Sequence, residues 1–236
     1  MMVVAMLLAA RCEPGGPSVL EGPGIDGSNT EVDAASRLRD YLADSRYPTD
    51  SRPARSDTQT DLSRWPGLPA AKSDGARIEG YAGETLEKGS LYIDVAVQVR
   101  EAGRYSFFSI LQQADRPLVV ATVTRDLPAG PARVRFEFYG LILREAAAAD
   151  LQTARSYQLA GVGGERIPND AELEQLMRGE REESPAGRLE LFRKAYETRK
   201  YRPAEFTDRV WDAPEKRARI AELEAEVRAE KANQPQ

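Results

Sequence analysis

The chain has 236 residues, a net charge of −5, one cysteine and no histidine. That length accommodates one sizeable domain or two small ones. The mild charge balance lacks the basic patch of a nucleic-acid binder, and a single cysteine excludes an internal disulfide. The absence of histidine removes Ser-His-Asp and Cys-His nucleophiles, His-containing zinc sites and the usual general base near neutral pH.

The chain opens with "MMVVAMLLAARCEP", an uncharged apolar run that ends at Arg11 and Cys12. The run is too short for a membrane span, which needs about 20 residues. It has the length of a signal-peptide apolar region with small residues ahead of a cleavage site. Cys12, following "LLAA", resembles the lipid-modified cysteine of bacterial lipoproteins. That resemblance implies cleavage before Cys12 and a lipid anchor on it. It departs from the pattern in two ways: no Lys or Arg precedes the run, and Arg11 stands where a small residue is usual. A plain secretory signal cut near Ala10 and an apolar N-terminus on a cytosolic protein are the other readings.

Residues 13–30 are rich in Gly and Pro and read as a flexible tether. Asp26, Ser28, Thr30 and Asp33 place oxygen ligands close together, but their spacing matches no complete calcium loop. A helix is expected over residues 31–43, capped by Asn29 or Thr30, with Val32, Ala35, Leu38 and Leu42 at helical spacing. The stretch after it, up to residue 76, is rich in Pro, Ser, Thr and Asp and reads as irregular. Trp65 stands out there as an anchor onto a neighbouring surface or, alternatively, a ligand or partner contact.

From residue 77 the pattern changes to period two. "SLYIDVAVQVR" puts Leu91, Ile93, Val95, Val97 and Val99 on one face of a strand. "EAG" reads as a hairpin connection with Gly103 in the left-handed position. "RYSFFSILQQ", "LVVATVTRDL" and "ARVRFEFYGLIL" follow as strands, the last with Val134, Phe136, Phe138, Gly140 and Ile142 on one face. "SYQLAGV" is a fifth, weaker strand. Short connections of this kind require antiparallel pairing. A second sheet is available from Arg77–Tyr81 and "RLELFRKAYETRKY". "GVGGE" at residues 161–165 lacks the context of a phosphate loop and reads as a sheet edge or hairpin turn. Residues 169–182 read as an inserted helix capped by Asn169 or Asp170, with "GEREES" as its solvated end. A final helix is expected from "DAPE" at Asp212–Glu215 to about Ala232, its stripe of Ile220, Leu223 and Val227 docking on the sheets with Trp211 fixing where it begins.

Residues 91–206 resemble a secreted bacterial β-sandwich module of the choice-of-anchor type. The resemblance rests on "VQVREAGRYSFFSIL", "LPAGPARVRFEFYGLIL", "SYQLAGV" and "AYETRKYRPAEF". "DYLADSRYPTDSRP" resembles a segment found ahead of such modules. The resemblance implies an extracytoplasmic binding or spacer module with no shared catalytic residues.

The expected fold is mainly β: an antiparallel β-sandwich, Ig-like or jelly-roll-like, with peripheral helices including a C-terminal one. The expected organisation is a signal or lipobox-like segment (1–12), a tether (13–30), a helix and extended segment packed on the domain (31–76), the sandwich (77–210, with a helical insertion near 165–188) and the final helix and tail (211–236). No catalytic, metal or cofactor residue emerges. The leading expectation is a non-enzymatic protein of the cell envelope, lipid-anchored through Cys12 or periplasmic or extracellular. Its sandwich would contact an envelope protein or a glycan, and no nucleic acid. The alternative is a carboxylate-dependent hydrolase or the accessory subunit of one.

Overall fold

A computed structural model describes residues 33–54, 71–180 and 184–233. Its framework is two antiparallel sheets packed face to face on one core, with helices at the periphery. In chain order come α1 (Ala34–Asp44), β1 (Ser51–Pro53), β2 (Ala76–Glu87), β3 (Ser90–Val99), β4 (Gly103–Gln113), β5 (Arg116–Leu127) and β6 (Gly130–Phe138). They are followed by α2 (Gly140–Ala146), β7 (Gln158–Ile167), α3 (Asp170–Met177), β8 (Gly187–Arg188), β9 (Tyr196–Glu197) and α4 (Pro214–Asn233). Among the described residues the larger sheet runs β1-β5-β4-β7-β8, with β9 also on β7, and the smaller runs β2-β3-β6.

The alternation expected in β3 is present: Leu91, Ile93, Val95, Val97 and Val99 are all buried. They meet Val134, Phe136 and Phe138 of β6 within the smaller sheet. From the larger sheet, Tyr105, Phe107, Val119, Ala121, Leu159 and Val162 close the core. Two tight hairpins set the registers. Lys88 and Gly89 link β2 to β3, and Ala114 and Asp115 link β4 to β5, all four with positive φ. Such mirror-image turns match the right-handed twist of the strands they join.

Gly103 does not form the expected hairpin. Strand β3 pairs with β2 and β6, whereas β4 pairs with β5 and β7, so the link between β3 and β4 crosses from one layer to the other. It is tied down by Arg100 and Glu101, whose N–H groups donate to the Gly75 carbonyl. The link between β5 and β6 crosses back in the same way. The strand expected through residue 143 stops at Phe138. Gly140 opens α2, which buries Leu141, Ile142 and Leu143 at the end of the sandwich. A four-residue apolar run does not distinguish a buried strand from a buried helix turn.

The first helix begins at Ala34, later than expected, because Asp33 is its cap: the carboxylate accepts from the Ser36 N–H at 2.6 Å. Helix α3 has the expected cap, Asn169, in a complete capping box with Glu172. The final helix docks elsewhere than expected. The main partner of helix α4 is α1, against which it runs antiparallel. Leu223 is buried there, with Ile220 and Val227 half-buried. Polar contacts pin both ends of the pair. The Glu230 carboxylate accepts from the Ala34 N–H, and Lys216 donates to the carbonyls of Ser45 and Trp211 at 2.8 Å each. Trp211 lies against the core where α4 starts, its N–H donating to the Arg46 carbonyl. Leu42, expected to pack on the domain, is exposed, while Leu38 and Tyr41 are half-buried.

Candidate functional site

The outer faces of the two sheets differ. On the smaller sheet one cluster of charges is self-paired. Arg135 bridges Asp94 at 2.9 Å and Glu87 at 3.0 Å, with its guanidinium over the Tyr92 ring.

The larger sheet is built around two glycines opposite two phenylalanines. In the register of β4 and β7, Phe107 faces Gly164 and Phe108 faces Gly163. Successive side chains leave a strand on opposite faces. Phe107 therefore covers Gly164 on the core side, and Phe108 covers Gly163 outside. A side chain at Gly163 would collide with the Phe108 ring, and one at Gly164 would come within 2.9 Å of Phe107 Cδ1. "GVGGE" thus lies inside a central strand, not at the edge or turn expected. Cross-strand aromatic cover compensates for the missing glycine side chains. The two adjacent phenylalanines of "RYSFFSIL" were the available sequence signal, because each needs a small partner across the ladder.

On that outer face Phe108 and Ile110 form a small cluster with Val120 and Leu191. Beside it lies a groove of about 560 Å³ whose lining includes Gly163, Leu191 and Phe108, the last only 3% exposed. Lys72 and Asp74 also line it, with Arg188 and Arg193. A second hollow of about 470 Å³ shares Glu190, Leu191 and Arg193 with the first and adds Arg77, Glu79 and Lys194. Sequence reasoning named Gly163 only within "GVGGE" and Arg77 only as a strand residue, and marked none of this set as a site, since they come together only through strand order. The Lys72 segment reaches the site by a parallel bridge to Arg188, with the Ser73 N–H donating to the Arg188 carbonyl at 2.8 Å. Glu165 lies opposite Arg188 in register, and burial pushes its carboxyl up from the ordinary range.

Three well-buried carboxylates make contacts elsewhere, and Glu84 keeps its buried Oε2 without a partner. Glu84 accepts from the Tyr201 hydroxyl and the Arg199 N–H, Glu172 pairs with Arg166 at 2.8 Å, and Asp94 pairs with Arg135.

Of the residues singled out in the sequence, Cys12 and Trp65 lie outside the described residues, as do Asp26, Ser28 and Thr30. Asp33 is a helix cap. Tyr201 and Phe206 are buried anchors whose rings pack against each other, and Phe206 also meets Tyr157 edge-on. Tyr196 is half-buried against Tyr81. No helix among the described residues is long and apolar enough to cross a membrane.

No protein-family model matches the chain. No curated protein matches it at a significant level. Among solved structures, the chain is similar to the solution structure of a candidate late embryogenesis abundant (LEA) protein. The identity is 12%, with 54% of this chain and 72% of the other covered, at a TM-score of 0.31. A score of that size does not establish a common fold.

Proposed function

We propose that this protein is a non-enzymatic β-sandwich module of the cell envelope, tethered through a lipid on Cys12, that contacts another envelope protein or a glycan. The observation that carries the reading is the contrast between the two outer faces. On the smaller sheet Arg135 is held by Asp94 and Glu87, whereas the groove beside the larger sheet is lined by Lys72, Arg188 and Arg193, which make no ion pair among the described residues. Recognition sites combine a largely apolar surface with a few well-placed polar groups.

Location is tested by fractionation. The full-length protein is expected in the membrane fraction, and Cys12→Ser is expected to move it to the soluble fraction. Two acyl chains anchor stably where one binds only marginally. Unchanged membrane association of the serine variant would exclude the tether.

A further inference from the structure

We propose that two copies of this chain pair antiparallel along the β6 edge of the smaller sheet, with Arg133 of each copy opposite Glu137 of the other.

The direction of the β6 main chain follows from the turn that starts this sheet. Lys88 and Gly89 form a two-residue link with positive φ, closed by Glu87 opposite Ser90. The closing pair of such a turn is a hydrogen-bonded one. Along an antiparallel strand, residues direct their N–H and C=O groups alternately to one neighbour and to the other. Ser90 and the even-numbered residues of β3 therefore bond β2, and the odd-numbered ones bond β6. The register of β3 with β6 runs from Leu91 opposite Phe138 to Val99 opposite Gly130 without a shift. It follows that Arg133, Arg135 and Glu137 direct their main-chain groups away from β3. Tyr139, next in that series, shows the same sense: its N–H donates to Ser51 Oγ at 2.8 Å, outside the sheet. Strand β6 ends the smaller sheet, and the outward groups of Arg133, Arg135 and Glu137 have no partner among the described residues. Unpaired main-chain groups in a folded protein are hydrated, and a row of them along an edge is a template for another strand.

The side chains select the occupant. Arg135 is held by its own Asp94 and Glu87, whereas Arg133 and Glu137 make no ion pair among the described residues. A two-fold axis at Arg135 sets Arg133 against Glu137 of the second copy, twice. Opposite charges facing each other across a ladder stabilise it, and like charges do the reverse. An axis at Val134 would instead set Arg133 against Arg135. An axis at Phe136 would carry Arg133 to Tyr139, whose N–H is already taken by Ser51. With the axis at Arg135 the outward groups form three pairs, and each exchanges two hydrogen bonds. Pro131, which has no N–H, falls opposite Tyr139 and ends the ladder on each side. The contact is self-complementary and closes at two copies. The same charges deter strands of other sequence.

The test is sedimentation equilibrium on the full chain carrying Cys12→Ser, which leaves it free of thiols. A concentration-dependent monomer–dimer equilibrium is expected. Glu137→Arg sets like charges opposite each other and is expected to weaken association at least tenfold. Arg133→Glu/Glu137→Arg exchanges the two charges and is expected to restore association to within about threefold. Single cysteines on the same background, oxidised with diamide, read the register. Opposite Cα atoms in a hydrogen-bonded pair lie about 5.5 Å apart, within disulfide reach, so Arg135→Cys is expected to give a linked dimer. Arg133→Cys would stand about 14 Å along the strand from its copy and is expected not to link. Arg77→Cys, on the other edge strand of the sheet, is expected not to link either. A chain that stays monomeric at every concentration, or a dimer indifferent to Glu137→Arg, would overturn the inference. So would a charge exchange that restores nothing, or linking of Arg133→Cys or Arg77→Cys as fast as Arg135→Cys.

Discussion

Replacing Phe136 by alanine is expected to lower the free energy of unfolding by about 3–5 kcal/mol. Phe136 is fully buried, stands opposite Ile93 in the ladder, and stacks on Phe138 with centroids 6.4 Å apart. Its ring lies between the two sheets. Removing it forfeits the transfer energy of the ring and leaves a cavity that two hydrogen-bonded layers cannot collapse to fill. Urea titration gives the answer: the midpoint falls while the slope stays the same, since the surface exposed on unfolding hardly changes. A loss below about 1 kcal/mol would mean that the ring is not sandwiched between the layers, and the β6 register would be in question.

The second large effect is expected at Gly140. It is the first residue of α2, where alanine would ordinarily be tolerated. Here a loss is expected. A Cβ on Gly140 would collide with the backbone carbonyl of Gly89, in the tight turn between β2 and β3. That turn cannot retreat. The Gly89 carbonyl accepts from the Thr207 N–H at 2.9 Å, and Gly89 itself sits at φ 78° with Thr207 packed against it. Three chain segments meet at this point, and backbone is the least yielding neighbour a new atom can meet. Gly140→Ala is therefore expected to cost about 1–3 kcal/mol net, as overpacked cores do. The same denaturant titration decides it. A stabilised Gly140→Ala would show that the turn and helix are not in contact.

How far the sequence speaks differs from element to element. Strand β3 was legible because one of its faces is uniformly apolar and the other is not, which is the pattern one buried face imposes. The layer to which each strand belongs was not legible. "EAG" and "PAG" have the length of hairpin loops, but both carry the chain across the core to the other sheet, and loop length alone cannot tell those routes apart. The glycines at 163 and 164 looked like a turn because glycine is a common turn residue. In β7 they exist to make room for Phe107 and Phe108, a requirement of tertiary packing that local reading misses. Helix α4 was legible as a helix from its Pro214 start and apolar stripe. Its partner was not, since the stripe fits another helix as well as it fits a sheet. The candidate site was the least legible part. Lys72, Arg188 and Gly163 are far apart in sequence and become neighbours only through the bridge from residue 72 to β8 and the place of β8 beside β7.

The contrast between the two outer faces is tested most directly by photo-cross-linking in cells. A photoreactive side chain is placed at Leu191, in the groove on the larger sheet, and in a second variant at the exposed Arg133 on the outer face of the smaller sheet. Adducts are resolved by gel and identified by mass spectrometry. The expected result is a discrete adduct with one envelope component from position 191 and, from position 133, none beyond a dimer of the chain itself. Adducts with another component from position 133 alone, or equal labelling of it from both positions, would contradict the assignment of the larger sheet as the contact surface.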